Sequence, residues 1–272
     1  MSFSLKNNKN GLWSGQFSLL EHADVIHGIS TRFGGVSQGA YTSLNIALHN
    51  GDEKERVIEN RRRFCQAHGV NLADVCTCEQ VHGTEIVRVS EPDRGAGAFS
   101  FESAIKKTDA LITNQKNVPL LLFFADCTPV LFYDPVHQAV GAAHAGWKGT
   151  VGKIAQKTLQ RMTDEFGTRA EECLIAIGPS IGGCCYEVDA AVMERFAAAF
   201  PEDKKEIILP LPENKWKIDL WRANYQQLIS VGVQQKNIEM ADACTQCNHE
   251  VFFSYRADQG KTGRIGALIS LK

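Results

Sequence analysis

The many short apolar runs in this sequence constrain its fold more than any other feature. Each run is bounded by glycine, proline or polar turn residues, which is typical of a β-strand. The runs cover residues 25–30, 85–89, 110–113, 120–125, 130–133, 139–143, 173–177, 206–209 and 265–271. Some follow one another closely enough to pair as hairpins, and helical patterns separate others. The arrangement therefore predicts mixed sheets and not a regular βαβ repeat.

Helical patterns occur at a few places between the strands. Their expected caps are Asp52, Thr150, Asp189 and Asp219, each followed by apolar residues at helical spacing. Strands and helices together predict an α+β fold, in which layered mixed β-sheets are covered by helices. The sequence has no Pro/Ser-rich linker and no repeat, so residues 1–272 are expected to form a single domain.

Composition argues against nucleic acid and membrane partners. The formal net charge is −2 and no dense basic stripe exists, whereas binding to a phosphate backbone needs concentrated positive charge. The basic run Arg61, Arg62 and Arg63 lies in the first predicted helix and is expected to be a solvated face. The apolar stretch 118–125 is followed by Asp126 and is too short to cross a bilayer.

Cysteine usage points to a reducing compartment. The chain has nine cysteines and lacks the apolar segment of a secretory signal, so a cytoplasmic location with free thiols is expected. Cys244-x-x-Cys247, with His249 nearby, has the spacing of half a zinc site. The sequence offers no obvious complement, so a buried or incidental pair is predicted there. The adjacent Cys184 and Cys185 are expected to serve packing.

The segment 120–150 carries the residues most suggestive of chemistry. A buried strand ends at Asp126-Cys127, a second strand runs into the turn Asp134-Pro135, and the chain returns to His144. A turn centred after Pro135 predicts that Cys127 faces His144. Directly opposed residues have Cβ atoms roughly 4.5–5.5 Å apart, a spacing that suits two ligands of one metal ion.

Two interpretations of these residues remain open on spacing alone. His82 is a third donor, and two histidines with one cysteine form a ligand set typical of catalytic zinc. Cys127 and His144 could instead form a nucleophile–base pair. The residues after His144, from Gly146 to Thr150, lead into a helix. Its amino terminus with Lys148 is either an anion site or an ordinary helix entry.

Several ordered motifs resemble those of the YfiH family, also called the laccase-domain or multicopper polyphenol oxidoreductase family. The motifs are Gln80-Val81-His82-Gly83, Asp126-Cys127-Thr128-Pro129, His144-Ala145-Gly146-Trp147, Gly178-Pro179-Ser180-Ile181-Gly182 and Phe253-Ser254-Tyr255-Arg256. The resemblance spans nearly the whole chain. It implies a layered fold with mixed sheets and one zinc ion bound by His82, Cys127 and His144, which are also the implied catalytic residues.

The resemblance also implies an activity. Purine nucleoside phosphorylase activity is expected on adenosine, inosine and methylthioadenosine, with adenosine deaminase activity in the same site. The implied partners are purine nucleosides and phosphate, and the oligomeric state is left open. Alternatives are copper-dependent polyphenol oxidation, with copper in place of zinc, and a Cys-His hydrolase acting on peptidoglycan precursors.

The expected substrate-binding residues are less distinctive than the metal ligands. They are Arg32, Asn45, Asp126, Lys148 and Arg256. Asp126 could also orient a ligand, because carboxylates beside a metal site fix the tautomer of an imidazole.

The sequence departs from the family pattern in three places, of which the first two weaken the expected assignment of an anion-binding arginine. Lys148 and Ala257 stand where arginine is common, and residues 94–103 lengthen a loop. Arg264 is expected either to line the pocket or to form an ion pair.

Overall fold

Strands dominate the computed structural model, which describes residues 3–8 and 11–272. The helices are α1 (Ser18–Glu21), α2 (Lys54–Ala67), α3 (Trp147–Val151), α4 (Ile154–Phe166), α5 (Ala190–Ala199), α6 (Lys204–Ile207) and α7 (Leu220–Ser230). The strands are β1 (Phe3–Asn7), β2 (Trp13–Phe17), β3 (Val25–Ser30), β4 (Ile86–Arg88), β5 (Ala110–Thr113), β6 (Leu120–Phe124), β7 (Thr128–Asp134), β8 (Ala139–Ala145), β9 (Leu174–Ile177), β10 (Glu187–Val188), β11 (Ile208–Leu211), β12 (Lys215–Ile218), β13 (Ile238–Met240) and β14 (Ile265–Leu271).

Two large sheets pack face to face at the centre of the molecule. One has the strand order β13-β9-β7-β8-β5-β4 and the other β1-β2-β3-β14-β6. The first sheet is mixed, because β4 runs parallel to β5 and β13 parallel to β9, while its other pairs are antiparallel. Buried side chains of β3, β6 and β14 meet those of β7, β8 and β9 in one continuous apolar core.

Helices cover the outer faces of both sheets. Apolar residues of α4 and α7 pack on the six-stranded sheet, and α2 packs on the five-stranded sheet. A small third sheet, β10-β12-β11, shares an apolar cluster with α5 and the start of α7. The predicted α+β fold with layered mixed sheets covered by helices is therefore confirmed. Within residues 3–8 and 11–272, no helix has the length and apolar character to cross a membrane.

Most predicted elements are present with small shifts in their ends. The predictions for 25–30, 110–113 and 265–271 agree with β3, β5 and β14 to the residue. The predicted strand 206–209 is correct only in its second half, because residues 206 and 207 end helix α6 and strand β11 begins at Ile208. Sequence analysis missed β1, β2, β10, β12 and β13, whose short segments mix polar and apolar residues.

The hairpin of β7 and β8 has a different register from the predicted one. Pro129, and not Cys127, lies opposite His144, and Asp134 pairs with Ala139. The strands are thus joined by four residues, 135–138, where a turn centred directly after Pro135 was expected. Cys127 lies outside the hairpin, directly before Thr128, the first residue of β7.

The side chain that begins this turn explains its length. The Asp134 carboxylate accepts hydrogen bonds from the backbone amides of Val136 and His137, at 2.9 and 3.1 Å, and Gln138 adopts a positive φ of 49°. The resulting register differs from the predicted one by two residues. Because side chains alternate between the two faces of a strand, a shift of two keeps Cys127 and His144 on the same face.

The helix after His144 starts earlier than predicted. Thr150 was expected to cap it, but α3 begins at Trp147 and Thr150 lies inside it, where the Asn224 amide donates to its hydroxyl at 3.2 Å. Lys153, with φ 64°, then separates α3 from α4. The caps Asp189 and Asp219 are confirmed, since each carboxylate accepts a backbone amide of the first helical turn.

Arg61 is not part of a solvated face, contrary to expectation. Its side chain is 1% exposed and donates to the backbone carbonyls of Ile46, Gly97 and Ala98 at 2.6–2.8 Å. Its guanidinium also lies 4.6 Å from the ring centroid of Phe123. Buried carbonyls can satisfy a charged guanidinium without an acidic partner, a long-range arrangement that helical spacing does not reveal.

Candidate metal centre

The donor atoms of His82, Cys127 and His144 all lie within 4.8 Å of one another. His144 comes from β8, Cys127 from the residue before β7, and His82 from the loop before β4. The two imidazole rings meet edge to face, with centroids 4.8 Å apart. Among residues 3–8 and 11–272, no further histidine, cysteine or acidic side chain joins this group.

Glycine at position 146 makes the close approach of these side chains possible. Gly146 follows β8 and comes beside Cys127 where the hairpin ends. A Cβ atom there would lie 2.9 Å from the Cys127 Sγ and 3.0 Å from the His82 Cδ2, closer than such atoms normally approach. The Gly146 backbone therefore forms one wall of the cluster.

Asp109 holds two of the three donors in place. Its carboxylate accepts the backbone amides of Val81, His82 and Gly83, at 3.2, 2.9 and 2.7 Å, and thereby fixes the loop that carries His82, whose φ is 61°. The same carboxylate lies 2.8 Å from the Nδ1 atom of His144. Since a carboxylate only accepts, Nδ1 donates this hydrogen bond and Nε2 is left for a metal ion.

Asp109, and not the predicted Asp126, orients the imidazole of His144, and the sequence patterns did not indicate it. The available signal was an acidic residue directly before the fully buried strand β5. Asp109 is itself 0% exposed. Burial alone would raise the pKa of this carboxyl, but hydrogen bonds from His144 and from the backbone outweigh burial and lower the pKa. It is therefore an ionised partner for an imidazole.

The cluster also stabilises a thiolate. Burial alone would raise the pKa of the Cys127 thiol, but the imidazoles of His144 and His82 outweigh burial and lower the pKa. Burial would likewise lower the pKa of His144, yet Cys127 and Asp109 raise it. Without a metal ion, the pair favours thiolate and imidazolium. A thiolate is the form of cysteine that binds metals.

A cavity of about 540 Å³ opens beside the three donors. Its wall also includes His49, Gln80, Tyr186, Tyr255, Arg256 and Arg264. An adjoining cavity of about 280 Å³ shares the His82 and Cys127 side of this wall and is lined by Lys148. Ligand pockets usually have volumes of about 300–1,000 Å³. Another cavity of about 550 Å³, near Asn7 and Arg63, lacks such a cluster of donors.

Three of the five expected substrate-binding residues lie at these cavities. Asp126 and Arg256 line the larger one, and Lys148 lines the smaller one. The Asp126 carboxylate, at a backbone φ of 79°, accepts the Thr245 hydroxyl at 2.6 Å and the Arg256 amide at 2.7 Å. Asp126 thus ties the Cys127 segment to two other loops, whereas Asp109 contacts the imidazole.

The structure does not bring Arg32 to the cavity wall. Its guanidinium donates to the backbone carbonyls of Thr42 and His249, at 3.1 and 2.6 Å, and lies over the Phe253 ring. These contacts brace the loops that carry Thr42 and His249.

Asn45 is also absent from the cavity wall. It is fully buried, and its Oδ1 atom accepts the backbone amide of Arg264 at 2.9 Å. Asn45 therefore acts on the cavity only through the backbone of Arg264.

Arg264, for which two roles were open, lies at the cavity. Its Nη1 atom donates to the backbone carbonyls of Thr262 and Gly263, at 3.0 and 2.9 Å. Burial lowers its pKa. No ion pair involves Arg264 or Arg256 within the part of the chain that the structure describes. Neither guanidinium is therefore neutralised by a carboxylate, and both Nη atoms of Arg256 donate to the Glu187 carbonyl at 3.2 Å.

Four further cysteines contradict the expectations from the sequence. The sulfur atoms of Cys184, Cys185, Cys244 and Cys247 lie within 4.8 Å of one another. The Cys-x-x-Cys pair thus has a complement, which is the adjacent pair that had been assigned to packing. Neither pair predicts the other, because Cys247 is 62 and 63 residues from Cys185 and Cys184 and only tertiary structure joins the pairs.

Comparison with known proteins shows the family of this chain. Residues 26–272 match the family described as multi-copper polyphenol oxidoreductase laccase. The chain belongs to this family. The resemblance to the YfiH proteins is confirmed as well, because a solved structure with that name shares the fold of this chain.

Individual relatives in the laccase family cover almost the whole chain. Purine nucleoside phosphorylase YlmD of Bacillus subtilis (strain 168) is 39% identical over 249 residues, which is 92% of this chain and 89% of that protein. The crystal structure of Bacillus licheniformis hypothetical protein YfiH has a TM-score of 0.93 at 36% identity, covering 98% of this chain and 99% of that one. YlmD from Geobacillus stearothermophilus has a TM-score of 0.91 at 37% identity, covering 98% of each chain.

Proposed function

We propose that this protein is a zinc-dependent purine nucleoside phosphorylase with its active site at His82, Cys127 and His144. The observation that carries the proposal is the convergence of these three donors on a cavity lined by two arginines without acidic partners. The name of the B. subtilis relative supports the same activity. Three protein ligands are typical of catalytic zinc, whereas structural zinc usually has four.

The donor set fits a zinc ion. Sulfur and imidazole nitrogen are common zinc ligands, at about 2.3 and 2.0–2.1 Å respectively, and the three donors are close enough to reach one ion by small movements. A single copper ion is the alternative for the same ligands. A multicopper cluster is disfavoured, because the chain has eight histidines and only His49 joins His82 and His144 at the cavity. When bound, zinc supplies a Lewis acid that polarises a substrate oxygen.

The residues around the cavity supply the remaining requirements of phosphorolysis. In this reaction a phosphate oxygen attacks C1′ of the ribose, the glycosidic bond breaks, and the purine leaves. Arg256 and Arg264 would hold phosphate near C1′, with Lys148 at the adjoining cavity. Tyr186 and Tyr255 would pack against the flat base.

The other expected substrate-binding residues have supporting roles in this proposal. Asp126 keeps the Cys127 segment fixed to the loop of Arg256. Asn45 positions Arg264 through its backbone amide, and Arg32 braces the neighbouring loops without contacting substrate.

Adenosine deamination is proposed as a second activity of the same site. The chain lacks the His-x-Glu and Pro-Cys-x-x-Cys signature of zinc nucleobase deaminases, so deamination here would use a different scaffold. Release of ammonia from adenosine by the purified protein tests it. Loss of this release together with phosphorolysis in His82→Ala would show that one site performs both.

One observation favours a second candidate, a Cys-His hydrolase. Asp109, His144 and Cys127 together resemble an oriented nucleophile–base arrangement. That role leaves the second imidazole, His82, without a function, so the metal site is preferred. Full activity after exhaustive chelation, together with alkylation of Cys127 by a substrate-like electrophile, would favour the hydrolase.

An inosine assay tests the main proposal. We expect hypoxanthine to be released only when phosphate is present, with ribose 1-phosphate formed in equal amount. His82→Ala should lose both zinc and turnover, while His22→Ala, at an exposed histidine outside the site, serves as the matched control. Equal release of hypoxanthine without phosphate would identify hydrolysis and overturn the assignment.

A further inference from the structure

The four clustered cysteines form a second site, separate from the three donors at the cavity. We propose that Cys184, Cys185, Cys244 and Cys247 bind a structural zinc ion, which joins the loop before β10 to the loop after β13. Four thiolates favour a soft or borderline ion, and a tetrahedral set of four sulfurs is typical of zinc. Because all four ligands come from the protein, the site would brace the fold and not bind substrate.

The distances between the sulfur atoms fit this assignment. The Cys247 Sγ lies 3.6 Å from that of Cys184 and 3.4 Å from that of Cys185. In a disulfide this distance would be about 2.0 Å, so these are separate thiols. Four sulfurs around one zinc at about 2.3 Å stand about 3.8 Å apart, which is close to the arrangement present.

Backbone amides donate hydrogen bonds to the sulfur of Cys244, as they can to a thiolate that binds a metal ion. The amides of Gly182 and Cys247 donate to the Cys244 Sγ at 3.3 and 3.5 Å. One of these donors belongs to each of the two loops. Donors aimed at sulfur stabilise its anionic form, which is the form that binds metal.

A nearby cation offsets the charge that such a site would carry. Zinc with four thiolates has a formal charge of −2. The Lys217 ammonium group donates to the carbonyl oxygen of Cys184 at 2.5 Å, directly beside the cluster. The cysteines also lie at the surface, with Cys184 and Cys247 exposed and Cys244 buried. The ion could therefore enter from solvent without unfolding the chain.

The site would hold two loops that form the wall of the cavity. Cys244 pairs with Ser180 in an isolated bridge, and the Thr245 amide donates to the Ser180 carbonyl at 2.9 Å. The first loop also provides Ile181 and Tyr186 to the cavity. Cys244 of the second loop also shares an apolar cluster with Ile181 and Cys185 of the first loop. A zinc ion would therefore add a direct link between two loops that already pack against each other.

Zinc stoichiometry tests this proposal. The reduced full-length protein is incubated with zinc, desalted and weighed by native mass spectrometry. We expect two zinc ions per chain in the wild type and one in Cys184→Ala/Cys247→Ala, in which both substituted positions are exposed. The single variant Cys184→His keeps a zinc ligand at this position, so it should still bind the second ion. His82→Ala/His144→Ala should also retain one ion, so failure of the cavity site and failure of this site can be told apart.

Two results would overturn the proposal. One is a wild-type chain that binds a single zinc ion, which His82→Ala/His144→Ala then loses. The other is a loss of two hydrogens from the mass, mapped to a disulfide among these cysteines, in protein kept under reductant. The Co²⁺-loaded protein gives an independent readout, since each thiolate adds sulfur-to-cobalt charge-transfer absorption. The Cys184→Ala/Cys247→Ala variant should lose the share of the four-sulfur site and keep the share of Cys127.

Discussion

The two clusters of side chains that could hold a metal ion differ in their donor atoms, their support and their surroundings. The cavity cluster combines two imidazoles with one thiolate, is held by the sheet and by Asp109, and faces a cavity of about 540 Å³. The cysteine cluster has four sulfurs, joins two loops at the surface and adjoins the same cavity only through its loops. Ligand number and rigid support therefore distinguish the site that we propose for chemistry from the site that we propose to brace loops.

The largest expected effect follows from removing a ligand of the cavity cluster. Cys127→Ala should abolish both zinc binding at the cavity and phosphorolysis, because two imidazoles alone bind zinc weakly. Cys127→Asp should keep part of the metal, since a carboxylate can ligate zinc. Elemental analysis and the inosine assay measure the two effects. A Cys127→Ala variant that keeps its zinc at the cavity would break the comparison.

Removing the carboxylate that supports the imidazole should have the next largest effect. Asp109→Asn keeps the size of the side chain but removes its charge, so the metal affinity should fall about 10–100-fold. Competition with a coloured chelator measures this affinity. Asp126→Asn is the matched control, because Asp126 contacts Thr245 and Arg256 and no imidazole. An equal loss of affinity in both variants would contradict the specific role of Asp109.

Substitution of Arg264 is expected to have a smaller effect, which is confined to the binding of phosphate. Arg264→Gln should raise the KM for phosphate about tenfold or more, because a charge-assisted hydrogen bond contributes about 1.5–3 kcal/mol. The zinc content should not change. Steady-state kinetics at varied phosphate checks this expectation, and a rise in the KM for inosine alone would assign Arg264 to the nucleoside instead.

The smallest expected effect belongs to the cysteine cluster. Removing zinc from it should lower the melting temperature by about 5 °C, which corresponds to about 2.7 kcal/mol when free zinc stands at 100 times its dissociation constant. His82→Ala/His144→Ala isolates this effect, since its remaining zinc is at the cysteines. If a chelator leaves the melting temperature of that variant unchanged, the proposed bracing role is wrong.

The hairpin shows how much of the cavity cluster could be predicted from sequence. The predicted register was wrong by two residues, because the Asp134 carboxylate builds a longer turn. The shift was even, so Cys127 and His144 still share a face. The alternation of side chains along a strand is a local property, so an error of two residues in the register does not change which residues share a face.

Contacts between distant segments could not be predicted in this way. Asp109 contacts His144 and the amide of His82 across 35 and 27 residues, and no pattern near Asp109 specifies either contact. The same holds for the two cysteine pairs and for the carbonyl cage around Arg61. Sequence periodicity thus predicted most strands and the four longest helices, while the supporting carboxylate and the second cluster required the fold.

Anomalous diffraction at the zinc edge, from crystals of protein loaded with zinc under reductant, tests the central contrast most directly. The account predicts two peaks per chain, one bounded by His82, Cys127 and His144, and one among the four sulfurs of the cysteine cluster. The first should have three protein ligands and the second four. Data with no peak between His82, Cys127 and His144 would contradict the account.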